Sequence, residues 1–401
     1  MVFLSYVFVG FERDNHMKIF YTLMFSTLIF MSLMQPVAGI YHKLSLVIGL
    51  FIIVISVLLH KKIHIHNVQA CVFFSLYTFF CVIAAGMNQD MILLKNSLQL
   101  MCLFIAVSIF FNDLVKAQVL EIVLNSVLIA YIPFLMLCFQ QAHYMFEAFA
   151  GVFENPNTMG FSMIGLVIVV LMKLYNVTIQ MLHGQQKVKY MLSFILYTVV
   201  YLISLYVILL SNARTSLLTV ALATVVVMVW IVKSMNKTFL PFIKLVTLFT
   251  CLGVVVVMVM MKMDMMQEAV QSILLKMEKK STNITDGRLE IWQYVFEHFH
   301  FWGHGIESLW SIGVSHAHNT LINILQEAGL LALVSYCLFL FAIAKGYRQM
   351  NEQLIVFTAL VVVAVLGVST FEILYFNMLH LLVFVVSGSM RDRGKSATLS
   401  E

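Results

Sequence analysis

The sequence has little charge. Asp, Glu, Lys and Arg make up 11% of its 401 residues, while 62% are hydrophobic. Soluble domains carry roughly 25% charged residues, so a water-exposed surface around a single core is excluded. Cysteine is present but lacks the patterns that carry chemistry. All six fall inside apolar runs, with no CxxC pair and no zinc spacing, and they read as small packing residues. The first apolar run has no small-residue cleavage site and is expected to be retained, with Met17-Lys18-Ile19 a second natural beginning for it. No internal repeat is visible, nor the paired broken helices of an inverted-repeat transporter.

What is present is a series of apolar runs of about 20 residues, the length that crosses the roughly 30 Å hydrocarbon core of a bilayer, the second, eleventh and twelfth being shorter. They predict an all-α polytopic membrane protein of about twelve spans, at 18–34, 44–59, 68–87, 92–111, 119–139, 159–175, 191–210, 215–232, 242–261, 325–344, 354–370 and 373–388. With the N-terminus inside, inner segments carry sixteen Lys and Arg. Outer segments carry eight: Lys43, Lys95, Arg214, Lys262, Lys276, Lys279, Lys280 and Arg288. That asymmetry predicts both termini in the cytoplasm. The organisation expected is spans over 1–262, a large outer loop over 263–324, spans over 325–390 and an inner tail over 391–401. The net charge of +5 is accounted for by this bias, and no nucleic-acid partner is implied.

Polar residues concentrate on the outer side. In F-E-N-P-N-T-M-G, ending at Gly160, Asn155-Pro156 is a turn signal and Asn157 is expected to cap the sixth span or, like Glu154, to face a sugar. The short S-N-A-R-T-S-L-L places Arg214 at the outer membrane boundary, where it either snorkels among headgroups or meets an anion. Its planar fork suits phosphate better than a lysine would.

The long outer loop starts with an amphipathic stretch over 264–277, to which Lys276, Lys279 and Lys280 add positive charge at its end, either an interfacial helix or a guide for anionic lipid-linked substrates. Asn283 begins a short glycosylation-type triplet that carries no weight. D-G-R-L-E-I-W opens a second helix, expected to bury Leu289, Trp292, Val295, Phe296 and Phe299. Arg288 in its first turn, beside the helix N-terminus, could hold a phosphate. Five histidines follow: His298, His300, His304, His316 and His318. H-F-H and H-A-H do not match common zinc spacings, whereas a single histidine acting as a base is chemically simpler. His318 is the best placed, ahead of Asn319 and a helix expected to run unbroken into the membrane, and His316 is the reserve. Glu327 is nine residues on, about 13 Å along that helix, too far to partner His318 directly.

R-T-S-L-L at Arg214, G-R-L-E-I-W at Arg288 and H-N-T-L-I-N-I-L-Q-E-A-G at His318, in this order among many spans, resemble the O-antigen ligases and the O-antigen or capsule polymerases, the Wzy and WaaL type. The resemblance covers roughly residues 150–345. It implies the GT-C type of membrane glycosyltransferase fold, in a bacterial cytoplasmic membrane, and an inverting reaction that needs neither metal nor cofactor. The donor it implies is an oligosaccharide on undecaprenyl diphosphate, in the lipid bilayer, with a chain-length regulator and a flippase as further partners. Arg214 and Arg288 would bind the diphosphate and His318 would act on the acceptor hydroxyl. Asn157, Glu290, His316 and Asn319 would contact substrate. Polymerase, with a lipid-linked repeat unit as acceptor, is preferred to ligase, with lipid A core as acceptor. A flippase would need polar groups through several spans, and the central spans are almost wholly apolar. A non-enzymatic partner in an export complex would be indifferent to changes at Arg214, Arg288 and His318.

Overall fold

The computed structural model describes residues 2–59, 63–115, 118–145, 148–182, 187–234, 287–346, 350–371 and 378–389. The predicted span 242–261, the amphipathic stretch 264–277, Lys276, Lys279, Lys280 and Asn283 lie outside them.

Among the described residues, ten helices are long and apolar enough to cross a membrane. In chain order the helices are α1 (Val2–Met34), α2 (Gly39–Leu59), α3 (Val68–Met87), α4 (Met91–Val115), α5 (Val119–Gln140), α6 (Pro156–Leu182), α7 (Lys187–Leu210), α8 (Arg214–Ser234), the short α9 (Arg288–Glu297), α10 (Thr320–Gly346), α11 (Glu352–Phe371) and α12 (Met378–Gly388). The architecture is all-α and polytopic, as the apolar runs predict. Two departures are local. An antiparallel hairpin, β1 (His143–Met145) with β2 (Ala148–Gly151), fills the α5–α6 connection. The last predicted span is represented by α12, an eleven-residue helix buried at every position.

In lipid, apolar surface alone does not drive helices together, so close packing and small residues must. α10 packs along α3, and the facing positions are small: Ala70, Ala84 and Ala85 on α3, Ala328, Ala332 and Ala342 on α10. Where the backbones diverge, aromatic rings fill the space. Phe74 stacks on Phe104 at 4.2 Å between ring centroids and meets Phe339 and Phe384 at 4.8 and 5.2 Å, tying α3, α4, α10 and α12 together. The second half of the bundle is built on α6, whose residues 163–172 are all buried. A helix apolar all round belongs inside a bundle, and α6 packs on α7, α8 and α11.

α12 meets α4 at a π-helical segment, Ile105–Phe111. The widened turn lets Asn112 Nδ2 donate to Val107 O (2.9 Å) and Val385 O (3.3 Å), while Ser108 and Ser387 hydroxyls pair at 2.8 Å. A Cβ on Gly388 would lie 1.9 Å from Ser108 O, so only glycine permits this approach.

Successive spans alternate direction, so the α3–α4 and α7–α8 corners share one face of the bundle. The segment after α9 docks onto the first of these corners. Asp90 fixes it there: Oδ1 accepts from Ile92 N and Leu93 N at the start of α4, and Oδ2 accepts from Ile306 N (2.7 Å) at the start of a 3-10 turn, Ile306–Ile312. One carboxylate thus caps two helical N-termini. Asp90→Ala is expected to lower stability by about 1–2 kcal/mol, read as a lower thermal midpoint in detergent. An unchanged midpoint would show that the docking does not depend on this carboxylate.

Candidate active site

The residues singled out by the sequence fall into two groups on this shared face. The first surrounds Arg288 and His318. Gly287, at φ +78°, turns the chain into α9, and Arg288 is its first residue, partly buried. The face that α9 buries differs from the one predicted. Val295 is buried, with Ile291 and Tyr294 packed beside it against Leu309, Ala317 and Leu325. Leu289, Phe296 and Phe299 are exposed. Val295 belongs to the expected stripe, which followed helical spacing from Leu289, but its packed companions are Ile291 and Tyr294 in place of Leu289, Phe296 and Phe299. Glu290 is exposed, and its Oε2 would lie 3.0 Å from a Cβ on Gly287, so the carboxylate folds back over the start of α9.

Trp292 joins this helix to the histidine segment. Its indole Nε1 donates to Ala317 O at 2.8 Å, and Ala317 N donates to Asn323 Oδ1 at 3.2 Å. Ala317 is fully buried. Both main-chain groups of the residue between His316 and His318 are therefore held, one from α9 and one from α10. His318 sits in the left-handed region at φ +50°, a conformation uncommon outside glycine that clusters at functional sites. Its ring is 4.3 Å from that of His316, whose Nδ1 is 2.7 Å from Ser315 Oγ. Asn319 then caps α10, accepting from Leu321 N and Ile322 N.

The other three histidines hold main chain. His298 Nδ1 lies 3.0 Å from Tyr294 O, His300 Nδ1 3.0 Å from Gly303 O, and His304 Nε2 2.7 Å from His298 O. They shape the W-G-H-G turn that the sequence leaves without a role.

α10 does not run unbroken, contrary to expectation. At Gly329 the backbone leaves the helix (φ 83°, ψ −176°). The kink releases the Gln326 and Glu327 carbonyls and the Leu330 amide from the helical ladder, and each finds a partner in the W-G-H-G segment. His304 N donates to Gln326 O (2.7 Å), Gly305 N to Glu327 O (3.1 Å), and Leu330 N to Phe301 O (3.0 Å). Buried main-chain groups require such replacement. The two strands of backbone cross in contact. A Cβ on Gly329 would lie 2.2 Å from Phe301 O, and one on Gly303 would lie 2.5 Å from Glu327 O. The glycine ten residues after Asn319 is thus the point where the outer turn is woven into α10.

The second group lies at the α7–α8 corner. Asn212 takes the left-handed conformation (φ +57°), and Arg214 follows as the first residue of α8, partly buried. The start of α6 packs into this corner: a Cβ on Gly160 would lie 2.3 Å from Ala213 Cβ. The N-P-N-T-M-G and S-N-A-R stretches are therefore neighbours. The cap of α6 is Asn155, not Asn157. Asn155 Oδ1 accepts from Asn157 N at 2.9 Å, Pro156 is the first helical residue, and the Asn157 side chain is exposed. Proline suits the first helical position because its missing N–H has no helical partner there, which moves the cap two residues earlier, from Asn157 to Asn155.

Sequence reasoning passed over a cavity of about 330 Å³ directly inside this face. It is lined by Gln35, His42, Asn96, Thr320, Asn323 and Glu327 among others. Of these only Glu327 stood out beforehand, as an acidic residue near the top of a span.

Residues 199–337 match a family model described as O-Antigen ligase. The matched stretch includes Arg214, Arg288 and His318. No curated protein matches the chain. The chain is thus a multi-pass membrane protein similar, over residues 199–337, to the O-antigen ligase and polymerase type of membrane glycosyltransferase.

Proposed function

We propose that the protein is a polysaccharide polymerase that transfers a glycan from undecaprenyl diphosphate to a second lipid-linked repeat unit at the outer face of a bacterial cytoplasmic membrane. The observation that carries this reading is the Trp292–Ala317 hydrogen bond. It couples the helix that begins with Arg288 to the backbone that presents His318, so a phosphate-binding group and a base are held by one rigid connection.

In the proposed reaction the acceptor hydroxyl oxygen attacks the anomeric carbon of the donor. The bond from that carbon to the diphosphate oxygen breaks, and the diphosphate leaves with the electron pair. The hydroxyl proton passes to His318. Arg288 and Arg214 meet the charge growing on the diphosphate, and fixed cations aimed at developing charge are usually the largest catalytic term. Asn157, Glu290, His316 and Asn319 are proposed to contact the glycans. The outer loop is taken to span 263–324, between spans over 1–262 and 325–390.

The description of the matched family favours a second reading, ligase, in which lipid A core is the acceptor. The two separate in one experiment. Purified protein in lipid is given the native undecaprenyl-diphosphate repeat unit, with and without lipid A core. A ladder of lengthened lipid-linked glycans is the expected result. Glycan appearing only on lipid A core would replace polymerase by ligase. Movement of the repeat unit across the bilayer with no new glycosidic bond would overturn both.

A further inference from the structure

A groove of about 480 Å³ runs down the lipid-facing side between α2 and α4. Its walls are apolar, with Leu46 and Leu50 on α2 and Met91, Leu94, Leu98 and Cys102 on α4. From Met91 to Cys102 the groove follows eleven residues of helix, about 16 Å at 1.5 Å per residue. That is close to half of a roughly 30 Å hydrocarbon core, or one leaflet. Two cations stand at its upper end, Lys43 and Lys95, both exposed and each one turn inside its helix. Lysines there extend their ammonium groups to the headgroup level.

The groove borders the interior cavity. His42 lines both the groove and the 330 Å³ cavity. Its Nε2 lies 3.3 Å from Asn96 Oδ1, while its Nδ1 is buried with no hydrogen-bond partner in the protein. Across the cavity, Glu327 Oε1 is likewise buried and unpartnered. Buried polar atoms are rarely left so, because losing water without gaining a partner is costly. The lining is largely apolar, but a carboxyl oxygen and a ring nitrogen without partners, with Asn96 and Asn323 beside them, offer polar contacts to a ligand that carries hydroxyl groups. The cavity volume is at the lower end of the roughly 300–1,000 Å³ common for small-molecule sites. Thr320, two residues after His318, and Ile306 are among its lining residues.

We propose that groove and cavity together seat the acceptor, a second isoprenoid-diphosphate-linked glycan: its hydrocarbon chain lies between α2 and α4, its diphosphate meets Lys43 and Lys95, and its glycan passes His42 and Glu327 toward His318. This rests on the glycan-transfer reading and adds to it a separate site for the second lipid-linked substrate, away from Arg214 and Arg288. An ordinary anionic phospholipid would satisfy the groove and the lysines. It carries no glycan for the cavity that the groove leads to.

The test reads binding without requiring transfer. Full-length protein in bilayer discs of phosphatidylethanolamine and phosphatidylglycerol is photolysed with two probes. One is an isoprenoid diphosphate with a benzophenone on its chain, and the other is the same compound carrying one repeat-unit glycan. Adducts are mapped by peptide mass spectrometry. Adducts are expected within 42–50 and 91–102, suppressed by unlabelled undecaprenyl diphosphate more strongly than by the same excess of phosphatidylglycerol. Joint Lys43→Ala and Lys95→Ala, or Leu98→Trp, which fills the groove, should reduce them severalfold, whereas Arg288→Lys should leave them in place. The glycan-bearing probe should label more strongly than the bare one, and Glu327→Leu should remove that advantage alone. Matched thermal midpoints confirm that the variants fold.

Adducts confined to other segments, or equal suppression by phosphatidylglycerol, would overturn the groove. A glycan with no effect on labelling would overturn the cavity. Labelling as expected from a protein that transfers nothing would leave the site standing and remove the transfer reading instead.

Discussion

His318→Ala is expected to lower glycan transfer by about 10²–10⁴-fold, the usual contribution of a positioned base, with folded yield unchanged. His318 is partly exposed, so its loss opens no cavity. The groups that hold the segment, Trp292 Nε1, Ala317 and Asn323, are untouched by the change. Arg288→Lys is the companion variant. It keeps the charge at the start of α9 but loses the planar fork that grips two phosphate oxygens, and a large loss of transfer is expected from it too. Initial rates of glycan extension in lipid, with melting temperatures recorded for each variant, are the measurement. Unchanged rates in both variants would remove these residues from the site. Loss of rate with loss of folding would show a structural role instead.

Gly329→Ala is expected to be more damaging to the fold than any substitution in the site. Gly329 adopts φ +83°, and its Cβ would lie 2.2 Å from Phe301 O. A non-glycine residue in a sparsely populated backbone region costs roughly 1–3 kcal/mol, and here the overlap is with backbone that has no rotamer to change. The facing strand has its own glycine, Gly303, with the same constraint. Relieving either contact pulls His304 N and Gly305 N from the carbonyls of Gln326 and Glu327. Gly303→Ala is therefore expected to match Gly329→Ala in lost yield and lowered thermal midpoint. Gly313→Ala is the control. Gly313 also has a positive φ, but nothing lies within 4 Å of its Cβ position, so a cost of only about 1 kcal/mol is expected. Equal effects at all three positions would mean that backbone conformation, not the crossing, sets the cost.

The W-G-H-G stretch shows why part of the site could not be read from the chain. Its glycines and histidines are conspicuous, yet they contact residues more than twenty positions later and, through Gly303 O and Asn88 Nδ2, a corner more than two hundred positions earlier. Periodicity describes what a residue does to its own helix. It carries no information on which distant carbonyl a released amide will meet. The predicted stripe of α9 was met only in part for the same reason: Val295 is buried as expected, but helical spacing could not show that Ile291 and Tyr294, and not Leu289, Phe296 and Phe299, would lie beside Leu309 and Leu325.

The sequence by itself determined the class of molecule, because roughly twenty apolar residues in a row can satisfy their backbone polar groups in lipid only as a helix. It also determined the order of the Arg214, Arg288 and His318 segments along the chain. Tertiary structure alone decided that α10 breaks at Gly329, that Asn155 caps α6, that Trp292 holds Ala317, and that His42, Asn96 and Glu327 face one cavity. Each of these depends on a contact between segments far apart in sequence or on competition between adjacent residues for one position. Such outcomes are set by the shape of the packed whole, in which a single backbone crossing or an unpartnered carboxylate oxygen has no local signature.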